Sequence, residues 1–149
     1  MDNIKNKCGL QFLGFIKINE TEIYQYQPVE GFFAVIRCKD KYLICFNKSR
    51  NQWELPAGRR EKGETPKECA IRELYEETGQ EVKDLTFKGL IKVRDNRNTF
   101  IKYNPVYFST IRKLQPFKEN EETTQIKLWD TNEDIGYFDK VDLKILDYV

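Results

Sequence analysis

The chain has 149 residues, of which 40% are hydrophobic and 33% are charged. This size and composition are typical of one globular domain, so we expect residues 1–149 to form a single domain. The 25 Lys and Arg residues against 24 Asp and Glu residues give a formal net charge of +1. No overall field therefore favours nucleic acid or an anionic membrane, and a polyanionic ligand must be met by local cations. Histidine is absent, which excludes His-based zinc sites, His-dependent triads and His general bases.

The cysteines predict a reducing compartment rather than a disulfide framework. None of the four forms a C-x-x-C pair, and most lie in apolar surroundings, as buried small hydrophobes do. A catalytic cysteine would need a cationic activating neighbour. The first residues lack the apolar core of a signal peptide, and no stretch is long and apolar enough to span a membrane. We therefore expect a cytoplasmic protein. The cysteines are Cys8, Cys38, Cys45 and Cys69.

The apolar segments predict a mostly β protein. Leu10–Ile18 is a predicted strand. The Phe-, Val- and Ile-rich runs Gly31–Cys38 and Tyr42–Phe46 predict a buried strand pair joined by a tight turn. Further strands are predicted at Val82–Val93 and Thr99–Leu114, on either side of the turn signal Asp95–Asn98, and at Gln125–Asp130.

Two segments have the pattern of helices. From Ile135 to Tyr148, apolar residues recur at spacings of three and four, which predicts one buried helical face. The segment Thr65–Gly79 begins with a capping box, Thr-Pro-Lys-Glu, and ends at a glycine that can adopt the left-handed conformation. Its predicted buried side is formed by Ala70, Leu74 and either Tyr75 or Thr78. Many strands with two separated helices predict a mixed sheet covered by helices, an α/β or α+β fold.

The second of these helices carries three glutamates on one face. Glu73, Glu76 and Glu77 stand at i, i+3 and i+4, where like charges repel. They also lie in the last turns, where the helix dipole disfavours negative charge. A hard divalent cation such as Mg²⁺ or Mn²⁺ would resolve both conflicts. Three glutamates at this spacing alone favour a solvated acidic face over a metal site, so the surrounding sequence has to decide.

The surrounding sequence supplies a longer pattern. From Gly58 the chain has the form G-x5-E-x7-R-E-L-x-E-E-x-G, which resembles the signature of the Nudix hydrolases. Seven fixed letters at fixed spacing arise by chance in roughly one chain in ten million at average residue usage. One position departs from the signature, because Gln80 stands where the family has a bulky apolar residue. The fixed letters are Gly58, Glu64, Arg72, Glu73, Glu76, Glu77 and Gly79.

The resemblance implies the Nudix fold, a mixed sheet sandwiched between helices, and cleavage of a phosphoanhydride in a nucleoside diphosphate linked to another moiety. It also implies Mg²⁺ or Mn²⁺ as cofactor, which suits phosphoryl transfer. Carried over by position, the three helix glutamates are metal ligands or base, with the Ala57 carbonyl as a further ligand. Arg72 is implied to orient the glutamates, and Glu64 to brace the loop with a lesser role near the metal.

The general base and the substrate contacts are less strongly encoded. In the family the base is either the counterpart of Glu73 or a loop residue, and here the loop candidates are Glu121 and Glu122, with Glu122 among the predicted catalytic residues. A solvated acidic loop is the alternative. Lys48 and Arg50 lie where the family commonly meets phosphate, so we expect them to bind substrate, although surface cations are often only solvated.

The sequence favours a small nucleotide as substrate, and best a nucleoside triphosphate giving monophosphate and pyrophosphate. Markers of the ADP-ribose and dinucleoside polyphosphate branches do not appear downstream of Gly79. The alternatives are an ADP-ribose or nucleotide-sugar pyrophosphatase, an RNA 5′-end pyrophosphohydrolase, which would be the one nucleic-acid partner, and a non-catalytic nucleotide-sensing domain. Membrane binding is not expected, and the resemblance makes a homodimer a possibility.

Overall fold

The fold is dominated by one sheet. The computed structural model describes residues 3–149, and among them eight strands share this sheet. The strands are β1 Leu10–Ile16, β2 Gly31–Cys38, β3 Lys41–Asn47, β4 Gln52–Glu54, β5 Ala57–Arg59, β6 Thr86–Asp95, β7 Phe100–Ile111 and β8 Thr123–Trp129. The helices are α1 Pro66–Thr78 and α2 Lys140–Ile145, with 3₁₀ turns at Glu20–Gln25 and Leu146–Tyr148.

The sheet is mixed. Its main path runs β1-β6-β7-β2-β3-β4, and β8 pairs with β3. β2 and β7 are parallel, whereas the other ladders are antiparallel. This parallel pair puts the long β6–β7 hairpin beside the central strand β2, and the mixed sheet predicted from the sequence is confirmed.

The central strand β2 forks along one edge. Its last residues, Arg37 and Cys38, pair with β3, whereas its first residues pair with β5. In that second arm Phe32 lies opposite Gly58, and Phe33 lies opposite Ala57. The fork therefore anchors the loop that precedes α1 to the middle of the sheet.

Helices cover both faces of the sheet. On one face α1 buries Ala70 and Leu74 against a cluster that includes Tyr107. On the other face α2 buries Val141 and Ile145 against a cluster that includes the tryptophans of β4 and β8. Each helix contributes one apolar stripe to its own core, so the predicted helix–sheet–helix arrangement is confirmed.

The predicted strands are all present, with bounds that shift by a few residues. The largest shifts are at the β6–β7 hairpin, where β6 begins and ends later than the predicted Val82–Val93 and β7 lies inside its predicted range. Of the two residues predicted as alternatives for the buried side of α1, Thr78 is buried. Tyr75 is 54% exposed and is not part of the buried side.

The helix predicted over Ile135–Tyr148 was wrong in its first part. The helix begins at Lys140 rather than at Ile135, because the Asp139 carboxylate caps it by accepting from the Val141 and Asp142 amides. The preceding residues pair with β4 instead, where Asp139 N donates to the Trp53 carbonyl at 2.9 Å. The sequence pattern also missed the 3₁₀ helix Glu20–Gln25, whose length gives little periodicity.

Candidate metal and phosphate site

The two ends of α1 fix the position of its glutamates. At the start, Glu68 N donates to Thr65 Oγ1 at 3.1 Å and Thr65 N donates to Glu68 Oε1 at 2.8 Å, which confirms the capping box. At the end, Gly79 has φ +77° and its amide donates to the Tyr75 carbonyl. A Cβ at Gly79 would lie 2.6 Å from the Pro116 carbonyl oxygen. Only glycine therefore lets the later loop pack against this helix end.

Arg72 connects the acidic residues of the site. Its Nε donates to Glu64 at 2.6 Å, and its Nη1 donates to both Glu73 and Glu76 at 2.9 Å. Its Nη2 also donates to the Arg59 carbonyl of β5 at 2.9 Å. The bond to Arg72 is the main cause that lowers the pKa of Glu64. One guanidinium thus ties the loop to the helix and offsets the repulsion among the glutamates.

Glu73 lies directly against the glycine of the loop. A Cβ built on Gly58 would overlap the Glu73 carboxyl group, well inside the closest approach of real side chains. Burial is the main cause that raises the pKa of Glu73, and the bond from Arg72 opposes it. The glycine is required here because the β5 backbone and a carboxylate occupy adjacent space.

Glu77 is the most buried of the three glutamates. Its Oε1 accepts from the Ala57 amide at 3.2 Å, and its Oε2 lies 3.7 Å from Cys45 Sγ. Burial raises its pKa well above the ordinary value, and the negative charge of Glu73 raises it further. A buried carboxylate next to another carboxylate is stabilised by a nearby cation.

The donor chemistry fits a hard divalent cation. Carboxylate oxygens of Glu73, Glu76 and Glu77 surround one end of the cleft, and oxygen donors are what Mg²⁺ and Mn²⁺ prefer. Among residues 3–149, however, no three His, Cys, Asp or Glu side chains are already arranged to hold a metal ion. Arg72 draws two of these glutamates to itself, so metal binding requires their carboxylates to turn toward the cleft.

A cleft of about 610 Å³ opens in front of these glutamates. Glu121 and Glu122, the two candidates for the base in the loop before β8, are exposed and line this cleft. Asn120, which the sequence did not single out, holds that loop in place. Its Nδ2 donates to the Glu76 carbonyl at 3.0 Å, and its Oδ1 accepts from the amides of Glu122 and Thr123. The lining residues are Arg50, Ala57, Gly58, Arg59, Glu73, Glu76, Glu77, Asn120, Glu121 and Glu122.

Of the two cations predicted to contact phosphate, only Arg50 lines the cleft, and Lys48 lies outside it. Arg50 lines the cleft, and its guanidinium donates to both oxygens of Glu54 at 2.6 and 3.0 Å. Lys48 is exposed and is not one of the cleft-lining residues in the described chain; its amide donates to the Glu122 carbonyl. Arg59 is a lining cation that the sequence did not select. Its position follows from the β2–β5 pairing, which no local pattern encodes.

A second cavity of about 320 Å³ adjoins the cleft, and Arg50, Ala57 and Arg59 line both. Its acidic side contains the buried residues Asp139 and Asp142, and Asp142 Oδ2 accepts from the Leu55 amide. Burial raises the pKa of Asp142, and the charges of Asp139 and Glu54 raise it further. Sequence reasoning missed these residues because their buried partners, Gln52 and Leu55, are far away in the chain.

The cysteines behave as packing residues. All four are free; three are buried, and Cys8 is half-buried. Burial raises the pKa of the Cys45 thiol well above its ordinary value and that of Cys69 to about 12. Burial therefore favours the neutral thiol at both positions.

Gln80, the departure from the signature, is fully buried and hydrogen-bonded. Its Nε2 donates to the carbonyls of Thr78 at 3.0 Å and Gln115 at 2.9 Å, and its Oε1 accepts from the Gln115 amide at 2.7 Å. It therefore replaces an apolar contact with a bridge from the helix end to the segment after β7.

Comparison with known proteins agrees with this geometry. The model of the NUDIX domain matches residues 27–148, most of the chain. The chain belongs to the Nudix family. The computed structure superposes on the pyrophosphohydrolase BsRppH of Bacillus subtilis with a TM-score of 0.72, at 23% identity over 99% of this chain and 96% of that one. That likeness establishes the Nudix fold.

Two curated relatives, both from Bacillus subtilis, share shorter regions with this Nudix chain. A putative 8-oxo-dGTP diphosphatase is 34% identical over 91 residues, 61% of this chain and 56% of that protein. An ADP-ribose pyrophosphatase is 61% identical over 76 residues, 47% of this chain and 40% of that protein. The matched regions thus span about half the length of these relatives. No helix within residues 3–149 is long and apolar enough to cross a membrane.

Proposed function

We propose that this Nudix protein is a metal-dependent pyrophosphohydrolase that cleaves a phosphoanhydride bond in a nucleotide. The observation that carries the proposal is the packing of Glu73 and Glu77 against the β5 loop at Gly58 and Ala57. Helix carboxylates and the backbone of β5 meet there at one end of an open cleft, with Arg50 and Arg59 along its wall. This arrangement supports neutralisation and positioning of phosphate oxygens, which is most of phosphoryl-transfer catalysis.

Each residue of the site has a distinct part in the proposed reaction. Glu73, Glu76, Glu77 and the Ala57 carbonyl would hold the cation, which supplies charge neutralisation and polarises a phosphate oxygen. Arg72 holds Glu73 and Glu76 side by side through its shared bonds, and Glu64 fixes Arg72 from the loop. Glu64 does not line the cleft in the described chain, so its role is bracing.

The water-activating base is proposed to be Glu122. It lies at the lip of the cleft, with its backbone amide fixed by Asn120. Glu73 is the alternative, but its carboxylate already accepts from Arg72 and packs against Gly58. A Glu122→Gln variant is expected to lose turnover at least 100-fold, as loss of a general base does. A Glu121→Gln variant is the matched control, and equal losses in both would refute the assignment.

The substrate proposed first is a nucleoside triphosphate, cleaved to monophosphate and pyrophosphate. It is supported by the match to a putative 8-oxo-dGTP diphosphatase. ADP-ribose is the second candidate, supported by the 61% identity to an ADP-ribose pyrophosphatase over 76 residues. Lys48, Arg50 and Arg59 are the proposed phosphate contacts, with Lys48 outermost.

A product-resolved panel tests the proposal. The purified chain with Mg²⁺ or Mn²⁺ is incubated with nucleoside triphosphates, 8-oxo-dGTP, ADP-ribose, nucleotide sugars and 5′-triphosphate RNA. Pyrophosphate with a monophosphate supports the first substrate, whereas AMP with ribose 5-phosphate supports the second. Binding of nucleotides without turnover of any of them would refute the enzyme and favour a nucleotide-sensing domain. The same preparation on a sizing column tests the proposed homodimer.

A further inference from the structure

The side chain of Asn120 joins α1 to the loop that carries the proposed base. Its Nδ2 donates to the carbonyls of Glu76 at 3.0 Å and Glu77 at 3.4 Å. Its Oδ1 accepts from the amides of Glu122 at 3.1 Å and Thr123 at 2.9 Å. An asparagine amide has two N–H donors and two acceptor lone pairs, so these four contacts use all of its capacity.

The helix side of this bridge falls where a helix needs an outside partner. The last four carbonyls of an α-helix have no donor within the helix, and α1 ends at Thr78. Asn120, 44 positions after Glu76, supplies donors to two of these carbonyls. They belong to Glu76 and Glu77, whose carboxylates are proposed metal ligands. The bridge therefore starts from the backbone of the metal-binding residues.

The loop side of the bridge fixes the backbone of Glu122. The Asn120 amide donates to the Thr123 carbonyl at 3.1 Å, which closes the turn whose amides Oδ1 accepts. The Glu122 carbonyl accepts from the Lys48 amide at 2.8 Å. Both polar groups of the Glu122 backbone are thus held, and the residue lines the cleft together with the three glutamates of α1.

We propose that Asn120 is a positioning residue, which sets the distance between the metal-binding end of α1 and the Glu122 carboxylate. The inference rests on the proposed function, because it requires Glu122 to be the base. A misplacement of about 1 Å costs about 100-fold in rate. The helix itself stays in place without Asn120, since Arg72 ties it to β5 and Gly79 packs against Pro116. Loss of the bridge should therefore lower kcat and leave metal affinity unchanged.

The test compares wild type with three variants on the best substrate of the product-resolved panel. Asn120→Ala removes all four bonds. Asn120→Asp and Asn120→Ser still accept from the two loop amides, but aspartate has no donor for the helix carbonyls and serine is too short to reach them. The uncharged serine separates the loss of the donors from the added charge of aspartate.

All three variants should lose about 10- to 100-fold in kcat, with KM within about twofold of wild type. The dissociation constant of Mn²⁺ alone, measured by electron paramagnetic resonance without nucleotide, should also stay within about twofold. Asn132→Ala, at an exposed asparagine beyond β8, is the matched control and should keep wild-type kcat. Wild-type kcat in both Asn120→Asp and Asn120→Ser would overturn the inference, because the bonds to the helix would then be unnecessary.

A double-mutant cycle separates positioning of the base from a general loss of structure. In the Glu122→Gln background the base is already absent, so Asn120→Ala should change kcat by less than about twofold. Losses that multiply in the double variant would overturn the inference.

Hydrogen exchange followed by NMR tests the bridge independently of activity. The Glu122 and Thr123 amides should exchange faster in Asn120→Ala than in wild type, and more slowly in Asn120→Asp than in Asn120→Ala. Failure of the proposed function looks different, because wild type would then release no product from any nucleotide. Equal exchange in wild type and Asn120→Ala would refute the bridge whether or not wild type is active, and faster exchange in the variant would support it.

Discussion

Restoring the family signature at position 80 should destabilise this protein. The Gln80→Leu change removes three hydrogen bonds of 2.7 to 3.0 Å and leaves the Gln115 amide and the carbonyls of Thr78 and Gln115 without their partner. Each buried polar group left unpaired costs ~1–3 kcal/mol. Burial of the leucine side chain offsets ~1.5–3 kcal/mol of this cost. Hydration of the half-buried Gln115 groups lowers the cost further. The expected net loss in the free energy of unfolding is ~1–3 kcal/mol, or roughly 3–10 °C in Tm.

Urea denaturation followed by far-UV circular dichroism measures this loss. Gln80→Ala should be less stable than Gln80→Leu, because it loses the same bonds without gaining apolar burial. Gln115→Ala is the control, since it removes only the exposed side-chain bonds to Glu81 and keeps the backbone bridge to Gln80. A Gln80→Leu protein as stable as wild type, or more stable, would show that the bridge contributes nothing.

Three further perturbations test the site and the core. Glu77→Gln should lower turnover by orders of magnitude with the fold intact, because it removes a proposed metal ligand. Gly58→Ala should abolish activity, since its Cβ overlaps the Glu73 carboxyl group. Asp142→Asn should flatten the pH dependence of stability above the ordinary aspartate pKa of 3.8. The pKa of Asp142 is raised above 3.8 in the folded state. The free energy of unfolding of wild type therefore falls as the pH rises above the pKa that Asp142 has in the unfolded chain. An asparagine does not titrate, so the variant lacks this loss.

Each of these changes has a control in the same chain. Glu81→Gln alters an exposed glutamate just beyond α1 and should keep full activity. Gly14→Ala introduces a Cβ that meets nothing within 4 Å and should be active. Asp40→Asn, at a side chain that is 98% exposed, should keep the wild-type pH profile. Metal-dependent turnover is measured for the glutamate and glycine variants, and the urea denaturation midpoint is measured across pH for the aspartate variants. An active Gly58→Ala enzyme would contradict the predicted overlap.

The sequence predicted those features of the protein that depend on interactions between residues close together in the chain. The cap at Thr65, the stop at Gly79 and the shared face of the glutamates each depend on residues within one helix. The resemblance identified Gly58 as a fixed position of the signature, whereas its close approach to Glu73 is seen only in the structure. Thus the strand pattern and the acidic helix were accessible before the structure.

Other parts depend on contacts between distant segments. Asn120 reaches the end of α1 from more than forty positions away, and Gln80 pairs with Gln115. The start of α2 was wrong because apolar spacing at Ile135 and Phe138 fits a helix as well as the pairing with β4 that the fold adopts. Periodicity cannot choose between these alternatives without knowledge of the partner strand.

The fork in β2 decides which side of the cleft can open. Ala57–Arg59 shares backbone hydrogen bonds with the central strand, and Ala34 N adds another to the Pro56 carbonyl at 3.0 Å. Freeing this wall would break the middle of the sheet, so its amide protons should exchange with solvent only near the free energy of global unfolding. The opposite wall, residues 120–122, lies outside any strand. It is held by the Asn120 side chain and by two backbone bonds, from the Lys48 amide to the Glu122 carbonyl and from the Asn120 amide to the Thr123 carbonyl. Adjustment to substrates of different length therefore falls to that wall, through openings that leave the sheet intact.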